Sequence, residues 1–252
     1  MIPLHDDNPT QITPYVTIAL IAACVLVFLW QVGSSPEAAR AAIFSYGVIP
    51  AVLLGPANLP PDLAVLPAPL TIVSSMFLHG GWMHLGGNML YLWLFGNNIE
   101  DAMGHGRFIV FYLVCGAAAA LAQAVAAPLS EIPMVGASGA ISGVLGAYIL
   151  LHPRARVLTL IFLGFFITMF RLPAMIVLGF WILIQVFNAV FQPAGGGGVA
   201  FLAHVGGFIA GVALIGLFKR RDVPFFDRGR PPHVPDRRWD GRLKRGPWDK
   251  RG

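Results

Sequence analysis

The chain has 252 residues, of which 56% are hydrophobic and only 12% charged, with a formal net charge of +5. Mean hydropathy is +0.71, whereas a soluble domain carries about a quarter charged residues, so the composition excludes an ordinary soluble domain and points to a polytopic membrane protein. Cys24 and Cys115 lie singly inside apolar runs, which excludes both a disulfide framework and a multi-cysteine zinc site.

The opening stretch MIPLHDDNPTQITPY lacks the basic region and small-residue cleavage site of a signal peptide, so the first apolar run is expected to be retained. A membrane-spanning helix needs about 20 apolar residues, with a range of roughly 17 to 25. Tyr15 to Val32 is the first such run. Gly33 to Pro69 is proline-rich and too broken for a span, and is expected to be a long ordered outer loop with an interfacial part. Trp82 to Ile99 is the second span, Phe108 to Ala127 the third, and Ala137 to Leu151 a short fourth. Ala174 to Phe191 makes the fifth, followed by a Gly195 to Gly198 linker and Val199 to Phe218 as the sixth. No internal repeat is apparent. From Lys219 the chain is basic, proline-rich and poor in aliphatic residues, which reads as a disordered tail. The expected organisation is a cytoplasmic segment over residues 1–13, a six-span core over 14–218 and a basic cytoplasmic tail over 219–252.

Val157 to Phe170 is apolar but short, and Arg156 and Arg171 bracket it. If it does not span, Arg107, Arg154, Arg156, Arg171 and the Lys219-Arg220-Arg221 cluster share one side, leaving only Arg40 on the other. The positive-inside rule favours that arrangement, with both termini cytoplasmic. Val157 to Phe170 is therefore expected to be a hairpin or half-helix at the cytoplasmic face.

This topology sorts the polar residues by depth. Spans two, four and six run from outside to inside, so His79, His84, Asn88, Ser138 and His204 all lie toward the outer helix ends, where they can meet. Polar groups within a bilayer are costly and are functional candidates. His84 and Asn88 are four apart and share one helix face. GASGAISG, Gly136 to Gly143, has two readings: small residues that let helices approach closely, or a serine at a helix start that a histidine can reach. Ser138 opens the fourth span, where free N–H groups and the positive end of the helix dipole surround its oxygen. A helix about five residues short of a full span, at 1.5 Å per residue, starts several Å below the outer surface and places the serine in a recess.

HGGWMHLGGN (His79 to Asn88), GASG (Gly136 to Gly139) and AHVGGFIAG (Ala203 to Gly211) resemble, in order and spacing, the signature segments of the rhomboid intramembrane serine proteases. The resemblance covers roughly Pro14 to Phe218. It implies an all-α membrane protein: a six-transmembrane-helix bundle with a long first outer loop and a cytoplasmic-face apolar hairpin between spans four and five. It also implies Ser138 as nucleophile and His204 as general base, a dyad without a carboxylate. All twelve Asp and Glu lie outside the six runs, leaving no buried carboxylate to orient His204. His84, Asn88 and the Ser138 N–H would form the oxyanion hole. His79 would support the loop or hold water, and Glu100 and Gly104 match family positions of structural role. Gly207 and Gly211 suit close packing of span six on span four, and Gly136, Gly139, Gly143 and Gly146 would remove the side chains in between. Two departures stand out: no tryptophan lies between Gly33 and His79, where relatives often carry a Trp-Arg pair, and Ser142 occupies the position of an aromatic that can stack on the base.

The implied reaction is peptide-bond hydrolysis through an acyl-enzyme, on single-span membrane proteins cut at a small residue near the outer end of the helix. No cofactor or metal is required, and Gly195 to Gly198 would form a movable cover. The implied location is a multi-pass position in the bacterial inner membrane. The alternative is a catalytically silent rhomboid-like protein that binds transmembrane clients. A transporter or a histidine metal site fits less well, and the absence of HExxH and of an intramembrane aspartate pair disfavours other intramembrane protease classes. The tail, with Phe225, Phe226, Trp239 and Trp248 among its basic residues, suits an anionic leaflet. Nothing in the sequence suggests a nucleic-acid partner.

Overall fold

The computed structural model describes residues 1–163, 166–191 and 199–227. Among the described residues, four helices are long and apolar enough to cross a membrane: α1 (Tyr15–Gly33), α7 (His105–Ala126), α9 (Ala174–Phe191) and α10 (Phe201–Phe218). Between α1 and α7 the chain forms short helices α2 (Pro36–Tyr46), α3 (Pro50–Leu53) and α4 (Ala68–Ser74). A continuous helical stretch follows, made of α5 (Trp82–Tyr91), a π-helical turn over Leu92–Gly96 and α6 (Asn97–Met103). The shorter α8 (Ser138–Leu151) is the centre of the bundle. At 14 residues it is about 21 Å long against a hydrocarbon core of about 30 Å. Ten of its residues are buried, while α1, α9 and α10 present large apolar side chains such as Leu26, Leu183 and Leu217 outward. A membrane protein has this distribution because lipid solvates the outer apolar faces, and helices then associate through close packing of small residues.

Glycine makes that packing possible. A β-carbon on Gly207 would collide with the carbonyl oxygen of Gly139, one on Gly211 with that of Gly143, and one on Gly146 with that of Phe208. On the other side of α8, Gly143 faces Cys115 and Gly139 faces Ala119, both of α7. Thus α8 is wedged between α7 and α10 along a seam of small residues.

The molecule is mostly helical, but not all-α. The segment between α8 and α9 folds as β2 (Arg156–Leu163) and β3 (Phe166–Pro173), paired antiparallel from Arg156↔Pro173 to Leu163↔Phe166. Of the hairpin or half-helix expected over Val157 to Phe170, the hairpin is the one that forms. Residues 1–13, expected to be a cytoplasmic segment, contribute β1 (Ile2–Asp6), which adds to β2 in the order β1-β2-β3. The anchor is polar. The carboxylate of Asp6 accepts hydrogen bonds from Tyr148 Oη at 2.6 Å and Asn98 Nδ2 at 2.9 Å, and Asp7 accepts from the Arg156 amide at 2.7 Å.

The second helical run is longer than the sequence suggests, reaching Met103, so Glu100 lies inside it and is fully buried. Its carboxylate accepts hydrogen bonds from the Val16 and Thr17 amides, at 2.9 and 2.7 Å, and from Thr17 Oγ1 at 2.6 Å. It also pairs with His105 Nδ1. The residue before α1 is Pro14, which offers no side-chain cap, so Glu100 satisfies the orphan first-turn amides that a local Ser or Asp would ordinarily take. Gly104 has φ of +81°, a conformation open to glycine, which allows α6 to stop and α7 to start one residue later. Beyond α10 the chain turns back on the bundle, with amides of Phe226 and Asp227 bonded to the carbonyls of Leu150 and Leu151. The Gly195 to Gly198 linker, Trp239 and Trp248 lie outside the described residues.

Candidate functional site

The candidate site is assembled from helix starts. His84 is the third residue of α5, Ser138 the first of α8 and His204 the fourth of α10. Because these three helices run the same way, their first turns lie at one end of the bundle. Ser138 and His204, 66 residues apart in sequence, are brought together, with Ser138 Oγ 2.8 Å from His204 Nε2. Both residues are half-buried. The α8 backbone ladder begins with Ile141 N–H to Ala137 C=O, so the amides of Ser138 to Ala140 precede it and contribute the positive end of the helix dipole.

Gly136 shapes the approach to the serine. Its φ is +124° and its amide donates to the Ser75 carbonyl at 2.9 Å. A β-carbon there would lie 2.7 Å from His84 Cε1 and Nε2, and 3.5 Å from Asn88 Nδ2. Only glycine therefore fits both the backbone conformation and the space. The first loop helps hold this segment, since Val48 bridges to Met134 and Ser74 Oγ donates to the Tyr46 carbonyl at 2.7 Å.

The two nitrogen-bearing side chains at Gly136 offer donors. His84 Nδ1 accepts from the Gly80 amide at 3.3 Å, so the neutral ring carries its proton on Nε2, the atom facing Gly136. Asn88 Nδ2 is buried and has no hydrogen-bond partner among the described residues. Buried donors are ordinarily satisfied, and an orphan beside a serine suits a group that acquires charge only during a reaction. His79 sits behind them, its ring 5.2 Å from that of His84. Its backbone exchanges hydrogen bonds with the Gln31 side chain, and Nδ1 lies 3.3 Å from the Phe77 carbonyl. It is woven into the loop and joins the site through His84.

A cavity of about 50 Å³ opens beside Ser138, toward α7. Ala119, Ala120, Gly116, Ala203 and Ser75 are among its lining residues. Side chains of this size leave room for water or for a short side chain.

Two participants were not recognised in the sequence. Gln185 of α9 accepts a hydrogen bond at Oε1 from His204 Nδ1, at 2.8 Å. One turn earlier, the Trp181 ring lies 5.8 Å from the His204 ring at 37°. The position four residues after Ser138 contributes no ring: Ser142 Oγ donates back to the Ser138 carbonyl at 2.6 Å, within α8. The aromatic neighbour of His204 thus comes from a different helix. Among the described residues the buried carboxylates are Glu100 and Asp6; both are engaged with partners elsewhere in the fold, and neither orients His204.

The bundle of apolar helices and its serine–histidine pair define the class. The profile of the rhomboid domain matches residues 68–221, more than half of the chain, and the protein belongs to the rhomboid family of integral membrane proteins. Relatives include Rhomboid protein 1, mitochondrial, of Saccharomyces cerevisiae, 31% identical over 150 residues, covering 57% of this chain and 40% of the yeast protein. Rhomboid protease GluP of Bacillus subtilis is 41% identical over 85 residues, covering 33% of this chain and 16% of GluP. Presenilin-associated rhomboid-like protein, mitochondrial, of Homo sapiens is 34% identical over 150 residues, 58% and 35% of the respective chains. The matches thus span less than half the length of each of these relatives.

Proposed function

We propose that the protein is an intramembrane serine endopeptidase that cuts a peptide bond in or near the transmembrane segment of a membrane-protein substrate. The observation that carries this reading is the 2.8 Å contact between Ser138 Oγ and His204 Nε2 at a helix start, beside inward-facing donors on His84 and Asn88. His204 Nε2 takes the Ser138 proton as Oγ attacks the substrate carbonyl carbon. The oxyanion that forms is stabilised by His84 Nε2–H, Asn88 Nδ2–H and the Ser138 amide. Collapse expels the amine, which receives the proton from His204, and leaves an acyl-serine. Water then repeats the sequence, with His204 again as base. In other hydrolases one such oxyanion donor contributes about 10² to 10³ in rate.

The six-span core accounts for the site's depth. Counting the α5–α6 run and the short α8 with the four long helices gives six crossings, and the length of α8 sets Ser138 below the surface. The cavity beside Ser138, lined by alanine and glycine together with larger apolar residues such as Ile72 and Met76, suits a small substrate residue at the cut. A single-span protein whose helix unwinds easily near that end is the fitting substrate, because helical carbonyls are already bonded. The proposed setting is the bacterial inner membrane, with both termini and the basic tail on the cytoplasmic side.

The test is cleavage of a generic single-span substrate in liposomes by wild type, Ser138→Ala and His204→Ala. Cleavage by wild type alone is expected. Undiminished cleavage by Ser138→Ala defeats the serine mechanism, and a wild type inert across a broad substrate panel favours a client-binding protein instead.

A further inference from the structure

We infer that Gln185 is the positioning residue of His204, acting as a neutral third member that selects the ring's tautomer; the inference rests on the proposed serine-protease reading. Along α9 the buried residues are Ala174, Val177, Leu178 and Gln185. Three are apolar and lie in the first two turns; the fourth is an amide, and Leu183, Ile184, Val186 and Phe187 around it are exposed. A buried amide in a membrane helix is costly unless its hydrogen bonds are made. Here both ends are used.

Gln185 Nε2 donates to the Trp181 carbonyl, one turn back on the same helix, at 3.4 Å. That carbonyl can only accept, so it assigns the amide orientation and turns Oε1 toward His204. Oε1 can only accept as well, so the 2.8 Å contact requires the proton on His204 Nδ1. A neutral imidazole with its proton there has its lone pair on Nε2, the atom 2.8 Å from Ser138 Oγ. In the other tautomer Nε2 would carry hydrogen and could not receive the serine proton. The sequence of constraints therefore runs from a helix carbonyl to an amide, from the amide to the ring, and from the ring to the nucleophile. A carboxylate does the same work in the soluble triad, but a permanent charge at this depth costs far more than an amide. The Trp181 ring on the same helix limits the imidazole's tilt.

The test uses the full-length protein in lipid nanodiscs with 15N-labelled histidine, the His204 signal being identified by its loss in His204→Ala. Wild type is expected to hold the Nδ1–H tautomer. Gln185→Met, which keeps the length and removes the acceptor, is expected to give a tautomer mixture and a kcat about 10- to 100-fold lower at unchanged KM, as for other groups that orient a functional histidine. Gln185→Glu, which keeps an acceptor oxygen at the same reach, retains the Nδ1–H tautomer and separates lost hydrogen bonding from lost packing. A Gln185→Met protein that keeps the single tautomer, or that loses it at undiminished kcat, overturns the inference. The tautomer measurement is repeated in Ser138→Ala, where no turnover is needed. Cleavage by that variant would defeat the proposed function, while the ring's tautomer would still decide whether Gln185 governs it.

Discussion

The α-carbon of Gly211 lies directly against the carbonyl of Gly143, leaving no space for a β-carbon between α10 and α8. One turn away, Gly207 meets Gly139 in the same way. These contacts set the interhelical distance that brings His204 to Ser138. Gly207→Ala and Gly211→Ala should therefore push the helices apart and lower kcat for substrate cleavage by about 10²-fold, the effect of misplacing a reacting group by roughly 1 Å. Gly106→Ala and Gly179→Ala, where a β-carbon meets nothing within 4 Å, should retain wild-type turnover. Equal behaviour of the two pairs would show that the seam does not set the geometry.

Asn88 makes a different kind of prediction. Its Nδ2 is buried without a partner among the described residues, so truncation removes no hydrogen bond made there by that donor and should leave the melting temperature in detergent unchanged or slightly raised. If Nδ2 serves the oxyanion, Asn88→Ala should lower kcat by about 10² to 10³ at nearly constant KM. A variant that instead melts early and keeps its kcat would assign the residue to folding.

The parts of this site that were legible in the sequence are those tied to helix starts. GASG and AHVGG each place a polar residue within a turn of a glycine, and the structure puts both at one end of the bundle. The hairpin was legible from its length and flanking arginines. Gln185 was not, because the two amides in the run Ala174 to Phe191, Gln185 and Asn188, carry no periodic signal, and the partner of Gln185, His204, is fixed by tertiary packing alone. β1 was illegible for a related reason: five residues have too little alternation to announce a strand, and Ile2 pairs with Leu160 far along the chain. Glu100 matched a family position of structural role, but standing just beyond the apolar run it gave no sign of the groups it would hold. Only its acceptance of the Val16 and Thr17 amides explains how it is buried.

Glu100 should therefore act on stability before activity. Its removal strands two first-turn amides of α1 and the hydroxyl of Thr17, and each unsatisfied buried group costs about 1–3 kcal/mol. With three such groups, Glu100→Ala is expected to destabilise the folded protein by at least about 3 kcal/mol, read as a lower melting temperature. The surviving folded fraction, at the far end of the bundle from Ser138, should keep a near-normal KM. An unchanged melting temperature would show that the cap is not needed.

Asp6 predicts a pH dependence at the same end. Burial is the main cause that raises its pKa from 3.8 to about 6; the Tyr148 hydroxyl opposes this, as does His5, while Asp7 adds to it. The docked strand thus holds a proton that the undocked strand, with a pKa near 3.8, releases more readily. Docking of β1 is most favourable below about pH 3.8, and that contribution is lost as the pH rises through about 6. Wild type should gain melting temperature between pH 7 and pH 5 relative to Asp6→Asn, whose amide is uncharged throughout and can still accept from Tyr148. Parallel melting profiles would show that Asp6 does not link strand docking to pH.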